Sequence, residues 1–428
     1  MRIAIRCVIA STFILFILPL LLSAQWLETT IPVGDQPGAL AWNSNDNKIY
    51  CANGGSNDLT VINGETNTVI ITIGITDGSG ALVYNTDYNK IYCASLWSDH
   101  VTVIDGAADT VITTITVDTI PIALVCNHIP GDNKVYCANF WNDNVTVIDG
   151  VSDTVITTIG VGDGPWFLFY NSTSNKVYTA NLSSDDVTVI DGITDTVITT
   201  IPVGDEPRAL LWNAFGNKVY CTNWASNNIT VIDGSSDTII NTISVVPGPH
   251  ALAWNSDDNK VYCTNSDAIT VIDGVADTII TTITVGGGPF ALIYNPTNNK
   301  VYCAHRLGNY VKVIDGAADT VITSIAVGIE PVAFTWNSTQ NRTYVANVES
   351  DSVSVIRDVI GITEVKVLHL AHEYYCASII SGPLQLPEGK ECKVFDITGR
   401  IVKSTKITLG IYFLEVDNKI VQKVVKVR

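Results

Sequence analysis

The 428-residue chain has a single methionine and only 15% charged residues. Its abundant residues are instead Val, Ile, Thr and Asn. β-Branched side chains lose rotamer freedom in a helix and fit a pleated sheet, so coiled coils and helical solenoids are excluded. Basic residues are also scarce, 24 against 42 acidic ones, for a net charge of -18. Such a chain repels phosphate backbones and anionic lipid heads, which argues against nucleic acid and against a membrane surface as partners. Length alone suggests two or three domains at about 150 residues each, although all-β folds often exceed that size as one unit.

Only one long apolar run is present, at the N-terminus. Arg2 and Arg6 precede Cys7 to Leu22, and Leu22-Ser23-Ala24 is a small-residue cleavage site. Residues 1–24 read as a secretory signal peptide, which predicts an exported mature chain starting near Gln25 with no transmembrane segment. Gln25 stands where a lipid-bearing cysteine would be needed for anchoring.

The ten cysteines do not look like a disulfide framework. Cys51, Cys93, Cys137, Cys221, Cys263 and Cys303 share one slot, after the Tyr of an Asn-Lys-(Ile/Val)-Tyr phrase, and equivalent copies carry Thr179 and Val345. A position that accepts Cys, Thr or Val is a small core position, so these thiols are expected unbridged. Cys126 replaces an aromatic, and only Cys376 and Cys392 are candidates to pair.

Those phrases mark a repeat. Lys48, Lys90, Lys134, Lys176, Lys218, Lys260, Lys300 and Arg342 are separated by 42, 44, 42, 42, 42, 40 and 42 residues. This period holds four short strands, A to D, the size of one propeller blade. In one copy A is Ala123 to Cys126, B is Lys134 to Asn139, C is Val145 to Asp149 and D is Thr154 to Val161. Strand A has small residues suited to a crowded axis. Strand C is nearly all apolar, as expected when both faces are packed, and Thr-rich strand D suits a half-exposed outer edge. The C to D connection, such as Asp149-Gly150 to Asp153-Thr154, reads as a tight turn rather than a calcium loop.

Eight copies of A, B and C end at Val353 to Ile356, but only seven D strands follow a C strand. The eighth lies at the front: Glu28-Thr29-Thr30-Ile31-Pro32-Val33-Gly34 nearly repeats Ile198-Thr199-Thr200-Ile201-Pro202-Val203-Gly204. The expectation is an all-β chain with an eight-bladed β-propeller over residues 25–356, closed by its N-terminal strand. A seven-bladed ring is the fallback if one copy is excluded.

The phrases Lys218-Val219-Tyr220-Cys221-Thr222-Asn223, Val231-Ile232-Asp233 and Thr200-Ile201-Pro202-Val203-Gly204 with Pro207 resemble the YVTN-type β-propeller repeat proteins. The resemblance spans residues 26–356. It departs from that family in using Cys where Val is usual and in having eight copies where seven are expected. It implies a bacterial exported or surface-layer propeller and no single activity.

After Ile356 the charge balance reverses. Residues 25–356 hold 11 basic and 34 acidic residues, whereas 357–428 hold 11 and 8. Strands are expected at Lys393 to Asp396, Gly410 to Val416 and Val421 to Val427. Lys393-Val394-Phe395-Asp396-Ile397-Thr398-Gly399-Arg400, Gly410-Ile411-Tyr412-Phe413 and the terminal Lys423-Val424-Val425-Lys426-Val427-Arg428 resemble the C-terminal sorting domain of type IX secretion substrates. That resemblance implies a small immunoglobulin-like β-sandwich over 357–428 and the outer-membrane secretion machinery as a partner. Ser381-Gly382-Pro383 stands where that family's usual Asn-Pro opening would be, so a purely structural module is the competing reading.

The D to A and B to C loops share one face, with the starts of strand A at the channel mouth, the default place for a site. Trp42, Trp212, Trp254 and Trp336 recur at one strand A position and read as core. Trp97, Phe140, Trp141 and Trp224 fall in B to C loops and Trp166 in a D to A loop, where they break the repeat. Such rings suit sugars or a protein partner. Trp166, Arg208, His250 and Phe290 occupy equivalent positions at the mouth, where charge would orient an anionic ligand. The loop acids Asp35, Asp163, Asp205 and Glu330 read as solvated turn residues. No nucleophile elbow or phosphate-binding glycine loop occurs, the six histidines lack metal-ligand spacing, and no cofactor motif is present. The sequence therefore favours a secreted or cell-surface binding scaffold for a glycan or protein. A channel-site hydrolase or lyase, or a passive surface-coat component, is the alternative.

Overall fold

The computed structural model describes residues 25–129 and 131–358, with 378–380, 392–396, 401–403, 410–416 and 419–426 beyond them. The expected signal segment, Cys376, and the Ser381-Gly382-Pro383 stretch lie outside the described residues. So does most of the expected immunoglobulin-like module. The chain divides into two compact units after Gly361. No helix among the described residues is long and apolar enough to cross a membrane.

The first unit contains eight antiparallel four-stranded sheets, each a blade. Blade 1 has strands Pro37–Asn43, Lys48–Asn53, Asp58–Asn63 and Val69–Gly74. The pattern repeats to blade 7, whose strands are Pro289–Asn295, Lys300–His305, Tyr310–Asp315 and Thr320–Ala326. Innermost strands of successive blades are in contact all the way round, including blade 8 with blade 1. The ring therefore has eight blades, and the seven-bladed fallback does not apply.

Blade 8 joins the two ends of this unit. Its strands Pro331–Asn337, Arg342–Asn347 and Ser352–Asp358 are completed by Gln25–Pro32, which pairs antiparallel with Ser352–Asp358. Thr30 faces Ser354 and Ile31 faces Val353. The last strand runs on past Ile356 to Asp358.

Burial follows position within the blade. Strands B and C are covered on both faces; Tyr136, Cys137, Val145 and Val147, for instance, have no exposed surface. Strand D has one free edge, and Val155 and Ile156 remain exposed there. All seven cysteines described in the propeller are buried free thiols.

Each Asp-Gly-x-x-Asp turn does two jobs. Its first Asp caps the turn, as where Asp105 Oδ1 accepts from the N–H groups of Ala107 and Ala108 at 2.8 and 2.9 Å. Its second Asp reaches the preceding blade. Asp109 accepts from Lys48 at 2.8 Å and from the Tyr50 hydroxyl at 2.5 Å, and Asp153 does the same for Lys90 and Tyr92. Six junctions carry this Lys–Asp pair, from Lys48–Asp109 to Lys260–Asp319. The acids that resemble calcium ligands are thus committed to turns and neighbouring blades.

The residue before the Asn that closes strand A is aromatic in seven blades, Trp42, Tyr84, Tyr170, Trp212, Trp254, Tyr294 and Trp336, with Cys126 at that place in blade 3. Each donates to an Asn five residues on, as Trp212 Nε1 to Asn217 Oδ1 and Trp254 Nε1 to Asn259 Oδ1, both at 3.0 Å. The expectation that Trp42, Trp212, Trp254 and Trp336 are core needs correcting. They are half-buried, and Trp212, Trp254 and Trp336 line the central channel. An innermost strand has no sheet neighbour on its axial side, so repetition there builds a wall as well as a core.

The described part of the second unit is a four-stranded sheet in the order Ser378–Ile380, Lys419–Lys426, Gly410–Val416, Cys392–Asp396. The first pair is parallel and the other two are antiparallel.

Candidate functional site

The loop face rests on a repeated backbone arrangement. The residue before each strand A proline position has a left-handed backbone, including Ile120 (φ 55°), Glu206 (φ 51°) and Glu330 (φ 62°). In seven blades its N–H donates to an Asn or Asp of the preceding blade's B to C loop, as Glu206 to Asp185 Oδ1 at 2.9 Å and Gly164 to Asp143 Oδ1 at 2.8 Å. In seven blades its carbonyl accepts from the first residue of its own blade's B to C loop, as Phe140 N to Ile120 O and Trp224 N to Glu206 O, both 3.0 Å. Because the backbone is satisfied within the loops, their side chains are free to vary without leaving buried polar groups unpaired.

Variation concentrates at three repeat positions. The residue after the strand A proline position is Trp166, Arg208, His250 and Phe290 in blades 4 to 7, but Gly38, Gly80, Ile122 and Val332 elsewhere. The first B to C loop position holds Phe140, Trp224 and Arg306, and the second holds Trp97, Trp141 and Leu307.

Seven of the eight expected site residues fall into three contact groups. Phe140 meets Trp141 and Trp166 edge-on, with ring centroids 5.8 Å apart in both cases, which joins blades 3 and 4. The Arg208 guanidinium lies 4.2 Å over the Trp224 ring and donates to Glu206 at 3.0 Å. His250 packs on Phe290 at 4.5 Å and one of its ring nitrogens lies 3.2 Å from the Phe290 carbonyl. Trp97 lies over Gly78 of its own blade's loop, so closely that a side chain at Gly78 would strike the indole. Trp97 and Trp141 are 71% and 67% exposed, while Trp166 and Trp224 are 36% and 40% exposed, so their rings remain available.

Three further residues belong with this group. Arg306 lies 5.3 Å from the Phe290 ring and pairs with Glu330, and with Leu307 they line a cavity of about 410 Å³. The signal for Arg306 was its position, the one occupied by Phe140 and Trp224. Burial lowers the His250 pKa, with Arg208 and then Arg306 adding repulsion against its charged form. Arg208 and Arg306 flank neutral His250 in a charged island whose two positive charges are matched by Glu206 and Glu330. Glu206 and Glu330 are engaged by these arginines, whereas Asp35, Asp163 and Asp205 are exposed turn residues.

Blade 7 is reworked beneath this island. In blade 3 Asn139 Nδ2 ties strand B to Thr146 Oγ1 of strand C at 2.8 Å. Blade 7 has His305 and Lys312 at those places. His305 is fully buried, stacks on Tyr310 at 4.5 Å and contacts the Gly286 carbonyl at 2.7 Å. Burial pushes its pKa down to about 4. Lys312 donates to the Val285 carbonyl at 2.6 Å.

No protein-family model matches the chain, and no curated protein matches it in sequence. Among solved structures it is similar to Saccharomyces cerevisiae Sqt1, at TM-score 0.68 and 12% identity, over 78% of this chain and 99% of that one. The computationally designed Ika8 protein matches at 0.64 and 16%, over 76% and 98%. Kuenenia stuttgartiensis hydrazine synthase matches at 0.53 and 18%, over 69% of this chain and 100% of that chain. Likeness at these identities is likeness of fold alone.

Proposed function

We propose that the chain is an exported binding scaffold of the YVTN-repeat type that holds an acidic glycan on its loop face. The observation that carries this reading is the set of aromatic rings on the loop face, exposed Trp141, Trp166 and Trp224 with half-buried Phe140 between the first two, together with Arg208 and Arg306. Indole faces stack on sugar rings with little loss of side-chain freedom, and a guanidinium bonds a carboxylate or sulfate through two N–H groups. Arg208 has its guanidinium plane held by Trp224 and one N–H engaged by Glu206, which fixes the direction of the remaining donors.

Export rests on the signal-like residues 1–24, and delivery to the cell surface on the sorting-like phrases of 357–428. In this reading 357–428 supplies an address for the outer-membrane secretion machinery and takes no part in binding. A reporter carrying a signal peptide and this segment should appear outside a host with that machinery; retention inside the cell counts against the address.

The binding reading is tested by calorimetry of the full chain against neutral and uronic-acid oligosaccharides. The acidic series should bind, and Trp141→Ala, Trp166→Ala and Arg208→Gln should each weaken binding about tenfold, the scale of a stacked ring or a charge-assisted bond. Binding of neutral and acidic series alike would remove the role given to Arg208. Absence of binding across both would remove the glycan.

A further inference from the structure

The opposite end of the channel has different chemistry. Strand A runs from the loop face to the A to B turns, and there Trp212, Trp254, Tyr294 and Trp336 surround a cavity of about 560 Å³ that Leu252 and Leu292 extend. This is within the roughly 300–1,000 Å³ of small-molecule sites. The indole N–H groups of Trp212, Trp254 and Trp336 are already bonded to Asn217, Asn259 and Asn341. The side chains of the wall therefore offer mainly aromatic and aliphatic surface, with the Ser256 hydroxyl and the unpaired axial edge of strand A as the polar groups beside it.

Charge at this mouth has one sign. The eight A to B turns contain Asp46, Asp87, Asp132, Asp257 and Asp258 and no Lys or Arg. Six of the seven lysines that start strand B, such as Lys218, are drawn to the next blade's aspartate, here Asp277 at 2.6 Å, and Lys300 pairs with Asp315 of its own blade. A tyrosine of the wall feels the acids, since the Tyr294 hydroxyl is held above its ordinary pKa by burial and then by Asp257.

We propose that this end of the channel binds an organic cation of the quaternary ammonium class, with its charge against the Trp and Tyr rings and beneath the aspartate rim. Such a cation has no N–H to satisfy, which matches a wall whose large side chains are apolar or already bonded, and aromatic rings attract it through their negative faces. An anion would be repelled by the rim. The proposal is independent of the loop-face reading.

The test is isothermal titration of the full chain with phenyltrimethylammonium and with its uncharged isostere, tert-butylbenzene. The cation should bind about tenfold more tightly than the hydrocarbon. Trp254→Leu should remove most of that preference while leaving hydrocarbon binding nearly unchanged. The double substitution Asp257→Asn, Asp258→Asn lies on the exposed turn and should weaken only the cation, more at low salt than at high salt. Equal affinity for the two probes, or no binding of the cation at millimolar concentration, would overturn the proposal. If Trp254→Leu fails to fold, the two-probe comparison and the aspartate variant decide it.

Discussion

Arg342 on strand B of blade 8 donates two hydrogen bonds of 2.7 Å to the carboxylate of Glu28, 314 residues earlier in the chain. The same guanidinium donates to the carbonyls of Gly64 and Glu65 in blade 1, at 2.7 and 2.8 Å. One side chain thus joins the N-terminal strand, the last blade and the first.

Removing Arg342 should loosen this closure more than removing Glu28. Arg342→Ala leaves a part-buried carboxylate and two carbonyls without their donor, a loss of about 3 kcal/mol on the scale of broken buried pairs. Glu28→Gln keeps an acceptor and should cost about 1 kcal/mol. Chemical denaturation monitored by tryptophan fluorescence measures both. Equal effects would mean that the backbone ties carry nothing.

Deletion of residues 25–34 removes the outer strand of blade 8 and opens a hydrogen-bonding edge on Ser352–Asp358. The expected result is self-association, visible by light scattering, because an unpaired edge accepts a strand from another copy. A monomer that melts at the parent temperature would refute closure as a source of stability.

Alkali should unfold the propeller through its strand B tyrosines. Tyr50, Tyr92, Tyr136, Tyr178, Tyr220, Tyr262, Tyr302 and Tyr344 are all buried. Burial, then for most of them a bonded aspartate, raises their pKa values, so the folded state holds these protons more tightly than the unfolded chain does. Their contribution is full below the unfolded value of about 10 and is lost as pH climbs toward the folded values. Tyr344 rises only to about 12, because Arg342 offsets part of the effect of burial. Tyrosinate absorbance from these rings should therefore appear together with loss of sheet signal, not before it.

The thiols should be inert until the fold opens. Cys51, Cys93, Cys137, Cys221, Cys263 and Cys303 have no exposed surface, while Cys126, at an aromatic position of the channel wall, is 3% exposed. Burial pushes the Cys126 thiol up to about 12 and the other six higher. Alkylation followed by mass mapping should find Cys126 labelled first among the seven.

Ile120 stands in a left-handed conformation that disfavours β-branched residues. The equivalent position is Gly in four blades and Gln or Glu in three. Ile120→Gly should leave stability unchanged or raise it by about 1 kcal/mol, which thermal melting can read. A clear loss would show that the Ile side chain's contacts outweigh the backbone relief.

The eight blades and their closure were legible because each blade repeats the same small vocabulary at nearly constant spacing, and Glu28 to Gly34 matches an interior strand. The Lys–Asp ties were not. Lys48 and Asp109 lie 61 residues apart, and each already has a local explanation, as a strand start and as a turn residue. Trp212 and Trp254 read as core because repetition usually reports packing; that they also form a channel wall depends on the ring being closed. On the loop face, the exceptional residues were visible as departures from the repeat. Which of them meet depends on loop courses that no periodicity encodes, as Trp97 and Arg306 illustrate.

The junction chemistry also distinguishes the ends of the chain from its middle. Six of the seven interior junctions offer a lysine to an aspartate in the next blade, and the seventh turns Lys300 to Asp315 of its own blade while Tyr302 bonds Asp358 of blade 8. The closing tie offers an arginine and meets Asn67, which bonds Tyr344 at 2.7 Å, where other blades carry that aspartate. A half-formed ring therefore carries matching labels at its two termini, different from those between its blades. The labels favour joining last blade to first over capture of an interior blade, so the propeller's blade number is written into its seam as well as into its length.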